Sequence, residues 1–410
     1  MNAGRGLGAK GYGRGLSAVA LVGAIVALGI GQRAVDAKAS AGSITAPTFE
    51  VDPFWPKPLP NHWVMGNVIG VGVDARDHVF IVHRADTFDS TTEIGAVANP
   101  PISECCVPAP PVLEFDPAGN VVAAWGGPPK DKSYVWPSSN HGIAIDNKGN
   151  IWIGGNGNGI QSIGQGPDSH ILKFTHDGHY LGTIGVPGKP TASNDTTHFG
   201  KVAKVSFDIA AQEAFVADGY GNHRVAVLDM PTGRIKRYWG AYGNVPSDSN
   251  FGPYNPDAPL IKQFRTPVHC AEPSSDGLVY VCDRPNDRLQ VFKKSGEFVK
   301  EVRYFPKTLG DGSVWDIAFS KDPQQKYIFM ADGKNEHIYV IDRSSLEILT
   351  MFGDGGRQPG QWFAVHSIAT DSRGNIFTTE TYEGKRVQKF VYKGIKPVAA
   401  ANQGVVWPKK

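Results

Sequence analysis

Histidine recurs at one aligned position in this 410-residue chain. Six segments share an apolar alternation: "IGVGVD" from 69, "HGIAID" from 141, "AKVSFD" from 203, "HCAEPS" from 269, "WDIAFS" from 315 and "HSIATD" from 366. Their first positions read Ile69, His141, Ala203, His269, Trp315 and His366, so the imidazoles occupy every second segment. Neutral imidazole nitrogens suit zinc, and three of them with an open fourth position would admit water or substrate, which is the donor set of a catalytic zinc site. The remaining nine of the 12 histidines, such as His170, His176 and His179, show no such order and read as surface residues. A second group could join the first: Arg84 in "VFIVHRAD", Tyr220 in "VADGYGN" and Arg284 in "VCDRPN" each follow the second apolar run of their own unit. Arginine offers a planar fork matched to a carboxylate, and a tyrosine beside arginine and a metal can serve as a base.

These residues can converge only if the segments close a ring. Each segment opens a unit of three or four short alternating runs separated by turns, several of them of the Asp-x-x-Gly-Asn type. Period-2 alternation predicts strands, and Asp, Asn and Gly supply the backbone conformations that tight hairpins need. Unit starts lie 46 to 72 residues apart. A propeller blade needs about 40 to 45 residues, so the excess is loop, with the longest insertions at 85–110, 186–200 and 243–266. Six such units predict an all-β, six-bladed β-propeller over residues 67–395. The sixth unit shows three good strands, so "TFEVDPFWP" (48–56), within an N-terminal arm at 42–66, is expected to supply the fourth and close the ring; 396–410 reads as a tail. In a propeller the first strand of each blade lines the central channel. Histidines in alternate blades then face one another about a third of a turn apart, and the antiparallel second strands return Arg84, Tyr220 and Arg284 to the same mouth.

Composition agrees with this architecture and removes other classes. Gly 49, Pro 30 and 10% aromatic residues suit many short strands and tight turns. Residues 1–41 read as a signal peptide, with Arg5, Lys10 and Arg14 before the uncharged "LSAVALVGAIVALGI" and small residues in "VDAKASAG" around the cleavage site. Fifteen apolar residues fall short of the roughly 20 needed to span a bilayer, so export to a periplasm or secretion is expected, with no stable membrane span after cleavage. Loss of five basic residues and one acid with this leader turns a net charge of +2 into −2. No basic tract remains to bind nucleic acid, and a monomer is expected. Cys270 and Cys282 flank the "SSDG" turn as cross-strand neighbours able to form a disulfide, while adjacent Cys105 and Cys106 could bridge each other, pair elsewhere or stay as thiols.

"VADGYGNHRVAVLD" and "VCDRPNDRLQVF" carry the Asp, Asn and Arg pattern of NHL-type propeller repeats, in which Asp218, Asn222, Arg224, Asp283 and Arg288 read as blade-internal hydrogen-bonding residues. Taken in order, "GNVIGVGVDARDHVFIVHRAD", "HGIAID", "ADGYGNHR", "VHCAEPSSDGLVYVCDRPNDRLQVF" and "VHSIATD" resemble the catalytic core of peptidyl-α-hydroxyglycine α-amidating lyase (peptidylamidoglycolate lyase), across essentially the whole propeller. The resemblance implies zinc held by His141, His269 and His366, Tyr220 as catalytic base, and Arg84 and Arg284 as substrate-binding and charge-stabilising groups. It also implies a structural calcium on the backbone carbonyls of Val71 and Ile143. The aspartate that the family places after the third histidine is Ser367 here, and loss of the charged ligand puts calcium in doubt. The family's cysteine after the tyrosine is Gly221, so its disulfide pattern is not carried over.

The activity so implied is a carbon–nitrogen lyase that splits a small-molecule or peptide carbinolamide, an N-acyl-α-hydroxyglycine, into an amide and glyoxylate. A non-catalytic NHL propeller binding module at the cell envelope would explain the repeats and leave the histidine column to chance. A lactone hydrolase or similar propeller enzyme would need a channel rich in Glu, Asp and Asn around calcium, whereas this column is histidine and apolar.

Overall fold

The alternating runs become six four-stranded antiparallel sheets. The computed structural model describes residues 44–98, 100, 102, 104–159, 166–398 and 402–408, so the expected leader over 1–41 and its expected cleavage site lie outside the described residues. Blade one is built from Asn67–Val73, Val79–Arg84, Val112–Phe115 and Val121–Trp125; blade two from Asn140–Ile145, Ile151–Gly155, His170–Phe174 and Tyr180–Gly185. Blade three comprises Val202–Asp208, Glu213–Asp218, Arg224–Asp229 and Ile235–Trp239; blade four comprises Val268–Pro273, Leu278–Asp283, Arg288–Lys293 and Phe298–Arg303. Blade five is Asp316–Phe319, Tyr327–Asp332, His337–Asp342 and Ile348–Phe352. No described helix is long and apolar enough to cross a membrane.

Local chemistry explains the hairpins. In the Asp-x-x-Gly-Asn turns at 116–120, 146–150 and 371–375, the Asp Oδ1 accepts the Asn backbone N–H at 2.9, 2.9 and 2.8 Å. The Asn side chain donates to the other carboxylate oxygen at 2.8, 2.9 and 2.7 Å. The intervening Gly119, Gly149 and Gly374 have φ of +91°, +77° and +83°, a region costly for any residue with a Cβ.

Blade six joins Val365–Thr370, Ile376–Glu380 and Val387–Val398 to the N-terminal strand Ile44–Asp52. The closing strand therefore starts four residues before the expected 48–56 stretch. Phe49, buried in a cage of Phe329, Phe352 and Tyr392, sets its register. The remainder of the stretch turns away, and Trp55 packs on Phe115 and Phe377 across the seam between blades one and six. Val51 N–H donates to Val406 O at 2.7 Å, which ties the C-terminal segment to the closing strand.

Between blades the core is aliphatic and aromatic. One cluster, for example, joins Phe215, Val225 and Val227 of blade three to Val268, Val279, Val281 and Phe292 of blade four. Cys270 and Cys282 are cross-strand partners and disulfide-bonded, and Cys105 and Cys106 form a vicinal disulfide.

Candidate metal centre and active site

The histidines owe their aim to β-bulges. Pairing between first and second strands shifts register between Asn140 and Ile143, between Val268 and Cys270, and between Val365 and Ile368, so each histidine sits in an irregularity. Ile69 and Ala203 occupy the corresponding shifts in blades one and three. A bulge leaves a residue unpaired and turns its side chain, here towards the channel axis. The ring centroids form a near-equilateral triangle of 5.2, 4.9 and 4.8 Å.

The intervening blades orient the rings. His141 Nδ1 donates to Ala203 O at 2.7 Å, His269 Nδ1 to Trp315 O at 2.5 Å and His366 Nδ1 to Ile69 O at 2.6 Å. The three non-histidine members of the column thus act through their carbonyls. With each Nδ1 committed as a donor, each Nε2 carries a lone pair.

One nitrogen from each ring lies within 4.8 Å of the others, and all three residues are buried. His269 Nε2 is buried with no hydrogen-bond partner, an orphaned acceptor that a cation would satisfy. Burial first, and then nearby positive charge, Arg284 in every case and Arg84 for His141 and His366, hold the three imidazoles well below their ordinary pKa, so they stay neutral, the form that binds metal. The set fits a metal ion on donor chemistry, on aim and on protonation.

The structure brings Arg84, Tyr220 and Arg284 to this cluster. Arg84 ends the second strand of blade one; its Nε donates to Asn140 O at 3.2 Å and its Nη2 to Asn156 Oδ1 at 2.9 Å. Tyr220 stands two residues after the second strand of blade three, where Gly219 lets the backbones meet: a Cβ there would lie 2.0 Å from Val268 O. The Tyr220 hydroxyl is 3.0 Å from His141 Nε2 and accepts from Arg284 Nη1 at 3.3 Å. Arg284 is buried over the Trp315 ring, 4.5 Å from its centroid, and its Nε has no partner.

The NHL-type residues position the site from below. Buried Asp218 accepts from Gly200 N, Asn222 Nδ2 and Arg224 Nε at 2.8, 2.7 and 2.9 Å, which pins the turn carrying Tyr220. Asp283 does the same for Arg284, accepting from Asn286 and Arg288 at 2.8 Å each.

Several neighbours escaped sequence reasoning. Asn140 and Asn156 hold Arg84, and only adjacency to His141 marks Asn140. Directly after the column position, Lys204 forms a part-buried triad, with Nζ 2.7 Å from buried Asp316 Oδ1 and 2.8 Å from Glu272 Oε1. Burial disfavours the ammonium, but the Asp316 and Glu272 charges outweigh it and raise its pKa. Ser367, which stands where the family has its aspartate, donates to Asp316 Oδ2 at 2.7 Å, and Ile143, Lys204 and Ser367 line the same small space under the histidines.

Another three-residue group, Asp74, His78 and Glu114, also brings ligand atoms within 4.8 Å. There the Arg76 guanidinium contacts both carboxylates, at 2.9 and 3.1 Å, so the group reads as an ion-pair network.

Comparison with known proteins gives the setting. No family model matches the chain. It is 29% identical over 248 residues to peptidyl-glycine alpha-amidating monooxygenase B of Xenopus laevis, covering 58% of this chain and 24% of that protein. It is 24% identical over 336 residues to the Caenorhabditis elegans protein named "Probable peptidyl-alpha-hydroxyglycine alpha-amidating lyase", covering 77% of this chain and 80% of that one. NHL repeat-containing protein 3 of Mus musculus is 24% identical over 362 residues, covering 84% of each chain. The chain therefore spans about a quarter of the amidating monooxygenase it matches. Its relatives are amidating proteins and NHL repeat proteins.

Proposed function

We propose that the protein is an exported, zinc-dependent carbon–nitrogen lyase that cleaves N-acyl-α-hydroxyglycines to an amide and glyoxylate. The observation that carries this reading is the Tyr220 hydroxyl, set between His141 Nε2 of the metal-competent triad and the Arg284 guanidinium. His141, His269 and His366 would hold the zinc. Bound there, it would supply Lewis acidity towards the substrate's oxygens and lower the cost of removing the hydroxyl proton.

The chain's own groups supply the rest. Arg284 and Arg84 carry fixed positive charge on two sides of the triad and bind the substrate carboxylate. Tyr220, acting as the base, takes the proton from the carbinol hydroxyl. The O–H electron pair becomes the aldehyde C=O bond, the C–N bond breaks and its pair moves to the amide nitrogen. Tyr220 then returns the proton to that nitrogen, so the reaction consumes no water and neither oxidises nor reduces. Arg284, over the Trp315 ring and hydrogen-bonded to the Tyr220 oxygen, stabilises the negative charge that develops during the transfer.

The similarity to NHL repeat-containing protein 3 over 84% of both chains supports a second reading, a non-catalytic propeller module. Glyoxylate release from an N-acyl-α-hydroxyglycine separates the two, since a binding module releases none.

A further inference from the structure

The insert between blades one and two lines a cavity that reaches Arg84 and Asn140, the residue before His141. It holds about 580 Å³, with Pro111, Pro129, Tyr134 and Trp136 among its walls and the charged Asp86 and Lys132 also on its lining. The end at Arg84 belongs to the site, because Asn140 precedes His141 in the chain and accepts from Arg84 Nε through its carbonyl.

The walls are fixed in place. The Tyr134 hydroxyl donates to Gly127 O at 3.1 Å and His170 Nε2 to Val135 O at 2.8 Å. Fully buried Asp168 accepts from the N–H groups of Ser138 and Ser139 at 2.8 and 2.9 Å. Phe174 backs both rings, with centroids 5.1 Å from Tyr134 and 6.1 Å from Trp136. On the other side of the site Arg284 is closed in by Trp315 and by Gly312, where a Cβ would lie 2.0 Å from Arg284 O. A second cavity of about 670 Å³ near Pro285, of mixed lining with Asp248, Arg265, Phe251 and Leu309, includes neither Arg84 nor Arg284, nor Tyr220, nor any of the three histidines.

We infer that the cavity at Arg84 is the acyl subsite and that the substrate's acyl group carries a bulky, aromatic-sized apolar substituent. The inference rests on the lyase reading above. Binding energy from a non-reacting substituent seated in a preformed pocket positions the reacting carbon at the site. The proline, tyrosine and indole faces between the charged groups accept a ring, and burying it there is what an apolar acyl substituent gains.

Titration calorimetry with N-benzoylglycine and N-acetylglycine, which lack the hydroxyl and cannot react, tests this apart from turnover. N-Benzoylglycine should bind at least about ten-fold tighter, the scale expected for burying one ring. Trp136→Ala should shrink that ratio. Pro128→Asp, which puts a carboxylate on the exposed rim of the cavity and leaves the core alone, should shrink it too, so a folding failure in the first variant does not end the test. Equal binding in the wild type, an unchanged ratio in Pro128→Asp, or tighter binding of N-succinylglycine would overturn the subsite even in an active lyase. A ratio that is present in the wild type and falls in the variants, with no glyoxylate from any N-acyl-α-hydroxyglycine, would uphold the pocket and discard the reaction.

Discussion

The Tyr220 hydroxyl lies 3.0 Å from His141 Nε2, so the turn after the second strand of blade three and the bulge of blade two meet at one oxygen. A phenol in that place touches the metal-competent triad without belonging to it. Tyr220→Phe should therefore bind metal at the wild-type stoichiometry while glyoxylate release falls by about 10²- to 10⁴-fold, the usual contribution of a positioned acid–base group. Metal analysis and turnover on the same preparation check this, and a variant that keeps wild-type turnover would remove Tyr220 from the mechanism.

His269 has no hydrogen-bond partner for its buried Nε2, so a bound metal ion would satisfy that atom. His269→Ala should lose bound metal and activity together and keep its β-rich circular dichroism. Full metal occupancy in the variant would mean that the ion sits elsewhere.

Below the triad, Lys204 neutralises Asp316 and Glu272. Lys204→Met leaves two carboxylates facing each other with no cation, and breaking a buried ion pair typically costs about 3 to 5 kcal/mol. The denaturant midpoint should fall accordingly, and adding Asp316→Asn with Glu272→Gln should recover most of the loss. An unchanged midpoint in the single variant would show that the triad is dispensable.

Asp287 gives the fold a pH dependence of known sign. Burial pushes its carboxyl up from 3.8 to about 7, against hydrogen bonds from Ser313 and with help from the Asp332 charge. A group whose folded value exceeds its unfolded one contributes stability that is complete below about pH 4 and lost as pH rises through about 7. Asp287→Asn mimics the neutral form, and asparagine tolerates the left-handed backbone at this position, where φ is +53°. Between pH 5 and pH 8 the wild type should lose about 2 to 3 kcal/mol more stability than the variant. Parallel unfolding curves at the two pH values would contradict this.

The alternation of His141, His269 and His366 with Ile69, Ala203 and Trp315 was legible in the sequence because strand period and repeat length together fix which residues share one level of the channel. The return of Arg84, Tyr220 and Arg284 to the same mouth was legible from antiparallel pairing alone. The carbonyls that orient the rings were not, since a backbone acceptor leaves no mark on residue type. His366 and Ile69, for instance, are partners across 297 positions. The closing strand begins at Ile44, before the expected 48–56 stretch, and its Phe49 packs against Phe329, Phe352 and Tyr392, contacts that no local sequence pattern announces. Lys204 reads as an ordinary surface lysine until Asp316 and Glu272, 112 and 68 positions away, are brought to it.

The central claim is that the histidine triad and Tyr220 form a metal-dependent lyase site. It is tested most directly by measuring glyoxylate released from N-benzoyl-α-hydroxyglycine by the purified protein, first stripped with a chelator and then titrated with zinc. Release should be near zero in the stripped protein, rise with zinc to a plateau at about one ion per chain, and match benzamide mole for mole. No glyoxylate above the uncatalysed rate at any zinc loading would contradict the account.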